Sequence, residues 1–307
     1  MIGVSCTGFS SLPAERWAGP VSEHFGLWEI FSEADQSVPH HIGEISDVLS
    51  RYGLECQIHA PICDWNIAAM SDRLREASLQ ETFDVLDAAA ELDAKVVTVH
   101  PGLSSMAVPG LEDRAVARAK DAVRRISKHA DDAGVIVGIE NMPSSPFFLG
   151  RTASQLAEIV EGTDLGVTFD IGHANTTGQI DAVIDLLGDR FVNIHIHDND
   201  GTRDSHLAIG EGTIDFGHVI RRLSGYRGNW IIESKSLDSA LRSLPRLEML
   251  LSSSGIHVGS VRSRSSFPFA EMRCMTMHMA PRTMKARSAS DMISIAGMIS
   301  EYATTAM

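Results

Sequence analysis

Short apolar runs alternate with longer amphipathic stretches along most of the chain. The runs Ile2 to Cys6, Leu27 to Phe31, Leu54 to His59, Lys95 to His100, Val135 to Glu140, Leu165 to Asp170, Val192 to His197 and Asn229 to Glu233 read as strands. Between them, Ser71 to Leu92 and Glu112 to Ala133 repeat Leu, Val, Ala and Ile at helical spacing among charges. Gly53, Gly134, Gly162 and Gly188 mark helix ends. Alternating units of this length require a parallel sheet, and eight of them close most simply into a (β/α)8 TIM barrel, expected over residues 1–254. The competing architecture is an open doubly wound sheet. Such a sheet usually carries a Gly-rich phosphate turn after its first strand, and SCTGFSSLP lacks the GxGxxG spacing.

Six consecutive strand runs carry at or near their ends a residue able to bind a metal: His59, His100, Glu140, Asp170, His195 and Glu233. In a barrel the C-terminal ends of all strands ring one mouth, so residues far apart in sequence converge there. One such histidine is ordinarily a hydrogen-bonded structural residue, but six in succession point to a metal site. The stretch from Phe191 to Phe216, FVNIHIHDNDGTRDSHLAIGEGTIDF, is the densest. His195 and His197 share a strand face, and Asp204 and His206 follow on a glycine-punctuated loop. His173 follows Asp170 by three residues in FDIGH. Imidazole beside carboxylate suits Zn or Mn, with Mg as a further candidate, and the residues suffice for one to three ions.

Composition narrows the function classes. The chain has 307 residues, a formal charge of −14 and a sequence pI near 5.3, which weighs against a surface built mainly for nucleic acid phosphates. Cys6, Cys56, Cys63 and Cys274 show neither CxxC spacing nor the density of a disulfide scaffold, so reduced thiols in a cytoplasmic protein are expected. Met1 to Cys6 reads as a strand rather than a signal peptide, and no apolar run is long enough to span a bilayer.

The segments IHAP, VHPG, IEN, DIGH, HIHD, DSHLAIGEG and IIES together resemble the xylose isomerase-like TIM barrel superfamily, over roughly residues 1–254. That superfamily contains sugar phosphate isomerases and epimerases and also the endonuclease IV nucleases of AP endonuclease family 2. Resemblance to the epimerase branch implies one divalent metal on Glu140, Asp170, His195 and Glu233, with His173 near the substrate. Resemblance to the nuclease branch implies a zinc on His59, His100 and Glu140. A second would sit on Asp170, His195 and Glu233 with Glu140 bridging, and a third on His173, Asp204 and His206. All nine positions are filled, which favours the nuclease branch.

Other residues favour a small sugar or polyol. Glu29, in LWEIF, resembles the glutamate of many sugar-processing members, and a carboxylate in the mouth would repel a phosphodiester. Nuclease loops need basic and aromatic residues, yet SCTGFSSLP and NMPSSPFFLG contain no Lys or Arg. The expected activity is therefore metal-dependent isomerisation or epimerisation, with Glu140 and Glu233 exchanging the proton and Glu29, His173, Arg203 and Lys235 contacting substrate. Zinc-dependent cleavage of abasic DNA is the alternative, and a barrel that binds metal or ligand without turnover is the third class. A homo-oligomer is compatible with either enzyme.

The remaining tempting residues have plainer readings. His197 is read as support behind His195, while His40 and His41 are solvated at the start of a helix. Trp65, Phe147 and Phe148 either line a pocket or pack beneath a loop. Gly210-Glu211-Gly212 is too short for a phosphate cradle and lets the backbone turn back towards the mouth. After Ser254 the chain changes character. Residues 255–307 hold eight of the 13 methionines and six Lys or Arg against three Asp or Glu, which reads as a loosely ordered extension with one short helix at Ser290 to Tyr302.

Overall fold

A computed structural model describes residues 1–104, 108 and 110–257. The strands are β1 Ile2–Cys6, β2 Leu27–Phe31, β3 Glu55–His59, β4 Val97–Val99, β5 Val137–Glu140, β6 Gly166–Asp170, β7 Phe191–Ile196 and β8 Asn229–Ser234. They form one closed parallel barrel in sequence order, with β1 pairing to both β2 and β8. Around it lie α1 Glu15–Ser22, α2 Val38–Tyr52, α3 Asp72–Glu91, α4 Leu111–Ala133, α5 Ala153–Val160, α6 Ile171–Thr176, α7 Ile180–Leu187, α8 Phe216–Arg222 and α9 Leu237–Ser253. The expected TIM barrel is therefore present.

Alternation along the strands separates two layers. Trp28, Ile30, Ile58, Val97, Ile139, Phe169, Ile194 and Trp230 are buried in the continuous apolar cluster that joins barrel and helices. Glu29, Gln57, Thr98, Thr168 and Asn193 are buried polar residues that bond across the barrel: Thr98 and Thr168 hydroxyls are 3.0 Å apart, and Asn193 Nδ2 donates to Glu29 Oε2 at 2.9 Å. The barrel interior is thus hydrogen-bonded, as buried polar groups require.

The strand and helix runs differ from expectation only at their ends. β4 stops at Val99 and β7 at Ile196, so His100 and His197 lie one residue past their strands. Gly53 and Gly134 end α2 and α4 in the left-handed conformation, at φ 64° and 71°. Gly188 instead has φ −55° and enters a 3-10 turn at Gly188–Arg190. No helix among the described residues is long and apolar enough to cross a membrane. The extension and its short helix, from residue 258 onwards, lie outside the described residues.

Candidate metal centre at the barrel mouth

Strand ends deliver the side chains. His59, Glu140 and Asp170 are the last residues of β3, β5 and β6, while His195 and Glu233 are next to last in β7 and β8. Helix α6 starts directly after Asp170, whose Oδ1 accepts a 2.6 Å bond from the His173 amide and so caps the helix that carries His173. The loop after β7 is closed by a bridge between Asp198 and Leu207, and it presents Asp204 and His206 back towards α6.

Three groups of candidate ligand atoms result, each with all atoms within 4.8 Å of one another: His59, His100 and Glu140; Glu140, Asp170, His195 and Glu233; and His173, His197, Asp204 and His206. All nine residues expected as ligands are in these groups. Glu140 belongs to two of them. Its Oε2 is 2.9 Å from His100 Nε2 and 3.4 Å from His59 Nε2, and its Oε1 is 2.9 Å from His195 Nδ1. Backbone carbonyls select which imidazole nitrogens stay free. His59 Nδ1 donates to the Ala60 carbonyl at 2.8 Å and His173 Nδ1 to the Asn141 carbonyl at 2.9 Å, leaving each Nε2 lone pair to face the carboxylates.

The donor set fits a divalent cation. Asp170 Oδ2, Glu233 Oε2 and Asp204 Oδ1 are buried without a hydrogen-bond partner, at the places where ligand oxygens are needed. Burial alone would lower the pKa of His195, but the carboxylates of Glu29, Glu140 and Glu233 outweigh it and hold the imidazole well above its ordinary value. For Glu140 burial acts upward, and His195, His100 and His59 overcome it to hold the carboxyl well below the usual range. His100 goes the other way, since burial lowers it more than Glu140 raises it. His206 is one of few non-glycine residues with positive φ, at 48°, a costly conformation held by its surroundings.

The His197 ring lies against Gly172 and stacks on His206 with centroids 4.0 Å apart and planes 10° from parallel. His197 Nε2 lies 3.2 Å from Asp170 Oδ1 and 3.5 Å from Asp204 Oδ1, and His197 joins His173, Asp204 and His206 in the third candidate group.

A cavity of about 600 Å³ opens above the ligands, and its lining includes His59, His100, His173, Arg203, His206 and Glu233. Arg203 is thus part of the cavity wall. Lys235 is not: β8 ends at Ser234, and Lys235 is exposed outside the lining. Glu29 does not contact substrate space either. It is the middle residue of β2, 0% exposed, and its Oε1 is 2.9 Å from His195 Nε2. Phe148 lines the cavity while its neighbour Phe147 is exposed. Trp65 packs under its loop, donating through Nε1 to the Ser78 carbonyl and Thr82 hydroxyl. Sequence reasoning missed Thr7, Phe31, Ile62 and Met142 in the wall. All four lie at a strand end or within three residues past one, and that position was the available signal.

Glycines 210 and 212 serve the loop. Their amides donate to Asp198 Oδ2 at 2.8 and 2.9 Å, so the turn that could have cradled a phosphate wraps a buried carboxylate of the chain itself.

A family model for the xylose isomerase-like TIM barrel matches residues 24–250. An uncharacterised protein of Methanocaldococcus jannaschii is 38% identical over 237 residues, covering 73% of this chain and 80% of that relative. A probable endonuclease 4 of Thermoplasma volcanium is 28% identical over 199 residues, covering 60% of this chain and 67% of the relative. Among solved structures, a D-tagatose 3-epimerase-like protein superposes with a TM-score of 0.76 at 34% identity, covering 83% of this chain and 98% of that one.

Proposed function

The chain belongs to the xylose isomerase-like TIM barrel family, and from that premise we propose that it is a divalent-metal-dependent isomerase or epimerase of a small sugar or polyol. The observation that carries this reading is the cavity. Its volume of about 600 Å³ suits one small ligand, and among the described residues Arg203 is the only Lys or Arg in its lining. A groove for a DNA backbone draws on several phosphate-binding cations. Apolar Phe31, Ile62, Met142 and Phe148 offer a face for the C–H side of a sugar, and Thr7, Ser144 and Thr202 offer hydroxyls. The likeness to the D-tagatose 3-epimerase-like protein supports the same class.

Glu140, Asp170, His195 and Glu233 would hold the ion, with Zn or Mn, or else Mg, matching this mixed donor set. A bound ion supplies Lewis-acid polarisation of a carbonyl and its neighbouring hydroxyl. Glu233 lines the cavity, so its carboxylate takes or returns the proton at the adjacent carbon. Glu140, paired with His59, His100 and His195, takes the second proton-transfer role. His173 and Arg203 orient substrate oxygens from the cavity wall.

One observation favours a second reading, a zinc-dependent abasic-site endonuclease. The three ligand groups are all present with Glu140 shared, and a relative named probable endonuclease 4 aligns with the chain. Two assays on one preparation separate the readings. Metal content is counted by elemental analysis, and the protein is offered ketoses in D2O and, separately, an abasic-site oligonucleotide. Deuterium entering the carbon next to the carbonyl, without strand cleavage, supports the isomerase; cleavage without exchange overturns it. Binding without turnover in either assay would leave a non-catalytic barrel.

A further inference from the structure

A hydrogen-bonded column runs inside the barrel to the candidate centre. Asn229 Nδ2 donates to Gln57 Oε1 at 2.5 Å, and Gln57 Nε2 to Glu29 Oε2 at 3.1 Å. Glu29 Oε1 then lies 2.9 Å from His195 Nε2, whose Nδ1 faces Glu140 Oε1 at 2.9 Å and Glu233 Oε2 at 3.0 Å. We propose that Glu29 is a positioning residue, holding the proton of His195 on Nε2 and so leaving the Nδ1 lone pair for the cation. This rests on the metal-binding part of the proposed function and is independent of the substrate.

Three observations support the assignment. Glu29 is completely buried, so its carboxylate needs a compensating partner, and His195 is the cation recorded beside it among the described residues. One of its oxygens is occupied, since Oε2 accepts from both Gln57 and Asn193, whereas Oε1 accepts no hydrogen bond and lies 2.9 Å from His195 Nε2 as an ion-pair contact. Asn193 Nδ2 also lies 3.1 Å from His195 Nε2, but its two N–H groups have Glu29 Oε2 at 2.9 Å and the Thr98 hydroxyl at 3.3 Å as acceptors. Two donors do not bond each other, so a proton on Nε2 has Glu29 Oε1 as its acceptor. A carboxylate behind a ligating imidazole fixes its tautomer and raises its basicity.

The test uses the full chain loaded with zinc. Glu29→Gln keeps the shape and removes the charge, and Thr168→Val is the control. Thr168 bonds to Thr98 inside the same barrel without touching Glu29 or His195. Chelator competition should show zinc affinity falling about 10- to 100-fold in Glu29→Gln and staying within about threefold in Thr168→Val. The melting temperature of the metal-free variant checks folding. Retained affinity in Glu29→Gln, or an equal loss in Thr168→Val, overturns the assignment. If Glu29→Gln does not fold, ¹⁵N spectra of histidines in the zinc-loaded wild type decide: His195 protonated at Nε2 supports it, and protonation at Nδ1 overturns it. Wild type that binds no zinc would remove the metal centre itself, whereas equal binding by wild type and Glu29→Gln removes this inference alone.

Discussion

Gly172 lies flat against the imidazole of His197: a β-carbon added to the glycine would sit 2.0 Å from Cε1 and 2.4 Å from each ring nitrogen. Gly172 is in helix α6, where alanine is ordinarily preferred by about 1 kcal/mol. Gly172→Ala should nevertheless destabilise the protein by about 1–3 kcal/mol, because the ring must move away from His206. Urea denaturation measures the cost. Under the three-ion reading, elemental analysis should also show less metal per chain than in wild type. A stabilised variant would mean that the stacked arrangement is dispensable.

Glu140→Gln removes a charge shared by two ligand groups and strands the imidazoles of His59, His100 and His195. Metal affinity should fall by more than about 100-fold, beyond the loss produced by a supporting residue. Turnover should fall with it under either enzyme reading. The metal-free variant should also be less stable by about 3–5 kcal/mol at neutral pH, since a buried pair has lost one member. Full activity with normal metal content would rule out the centre.

The metal-free protein should weaken as pH rises through the neutral range. Burial alone would lower the pKa of His197, yet Asp170 and Asp204 outweigh it and hold the imidazole at about 8, against an ordinary value of 6.5. A raised folded value stabilises fully below pH 6.5, and the contribution is lost as pH rises through about 8. The loss amounts to about 2 kcal/mol. Metal binding has the opposite dependence, because ligands must shed protons before they coordinate. Denaturation at pH 6 and pH 8.5, with and without chelator, should show the chelated protein alone losing stability. Equal stability of the chelated protein at both pH values would count against the His197 pairing.

Thiol reactivity should separate the cysteines. Cys6 and Cys56 are buried, and burial pushes their thiols up to about 11 and about 12. Cys63 is exposed beside Glu33, and burial and that carboxylate raise it less far. In a Cys274→Ser background, an aromatic disulfide reagent at pH 8 should label one thiol per native chain. Peptide mapping should place the label on Cys63, with the other two reacting after unfolding. Rapid labelling of Cys56 would show that β3 opens readily.

The barrel and its ring of candidate ligands were legible because both depend on short-range patterns: apolar runs of strand length and a potential metal-binding side chain at or next to the ends of β3 to β8. Depth along a strand was not. Glu29 pairs in register with Gln57, and Phe31 with His59, so Glu29 sits one inward-facing position below the ligands and touches His195 instead of substrate. Lys235 failed for a related reason. The rule that side chains two apart share a face ends with the strand, and β8 stops at Ser234. The contact of His197 with Gly172 depends on where α6 packs, which no local pattern encodes.

Asp198 makes the loop after β7 a replaceable part. Its carboxylate accepts the amides of Gly210 and Gly212, and its backbone pairs in both directions with Leu207. The base of the loop is therefore fastened by the chain's own groups, whether or not Asp204 and His206 hold an ion. The exposed tip at Thr202 and Arg203 borders the cavity from beyond that fastening. Substrate preference can consequently drift by exchange of tip residues while barrel and ligands stay fixed, and a library confined to Thr202, Arg203 and Ser205, which keeps Gly201 at its φ of 81°, samples new specificities at little risk to folding.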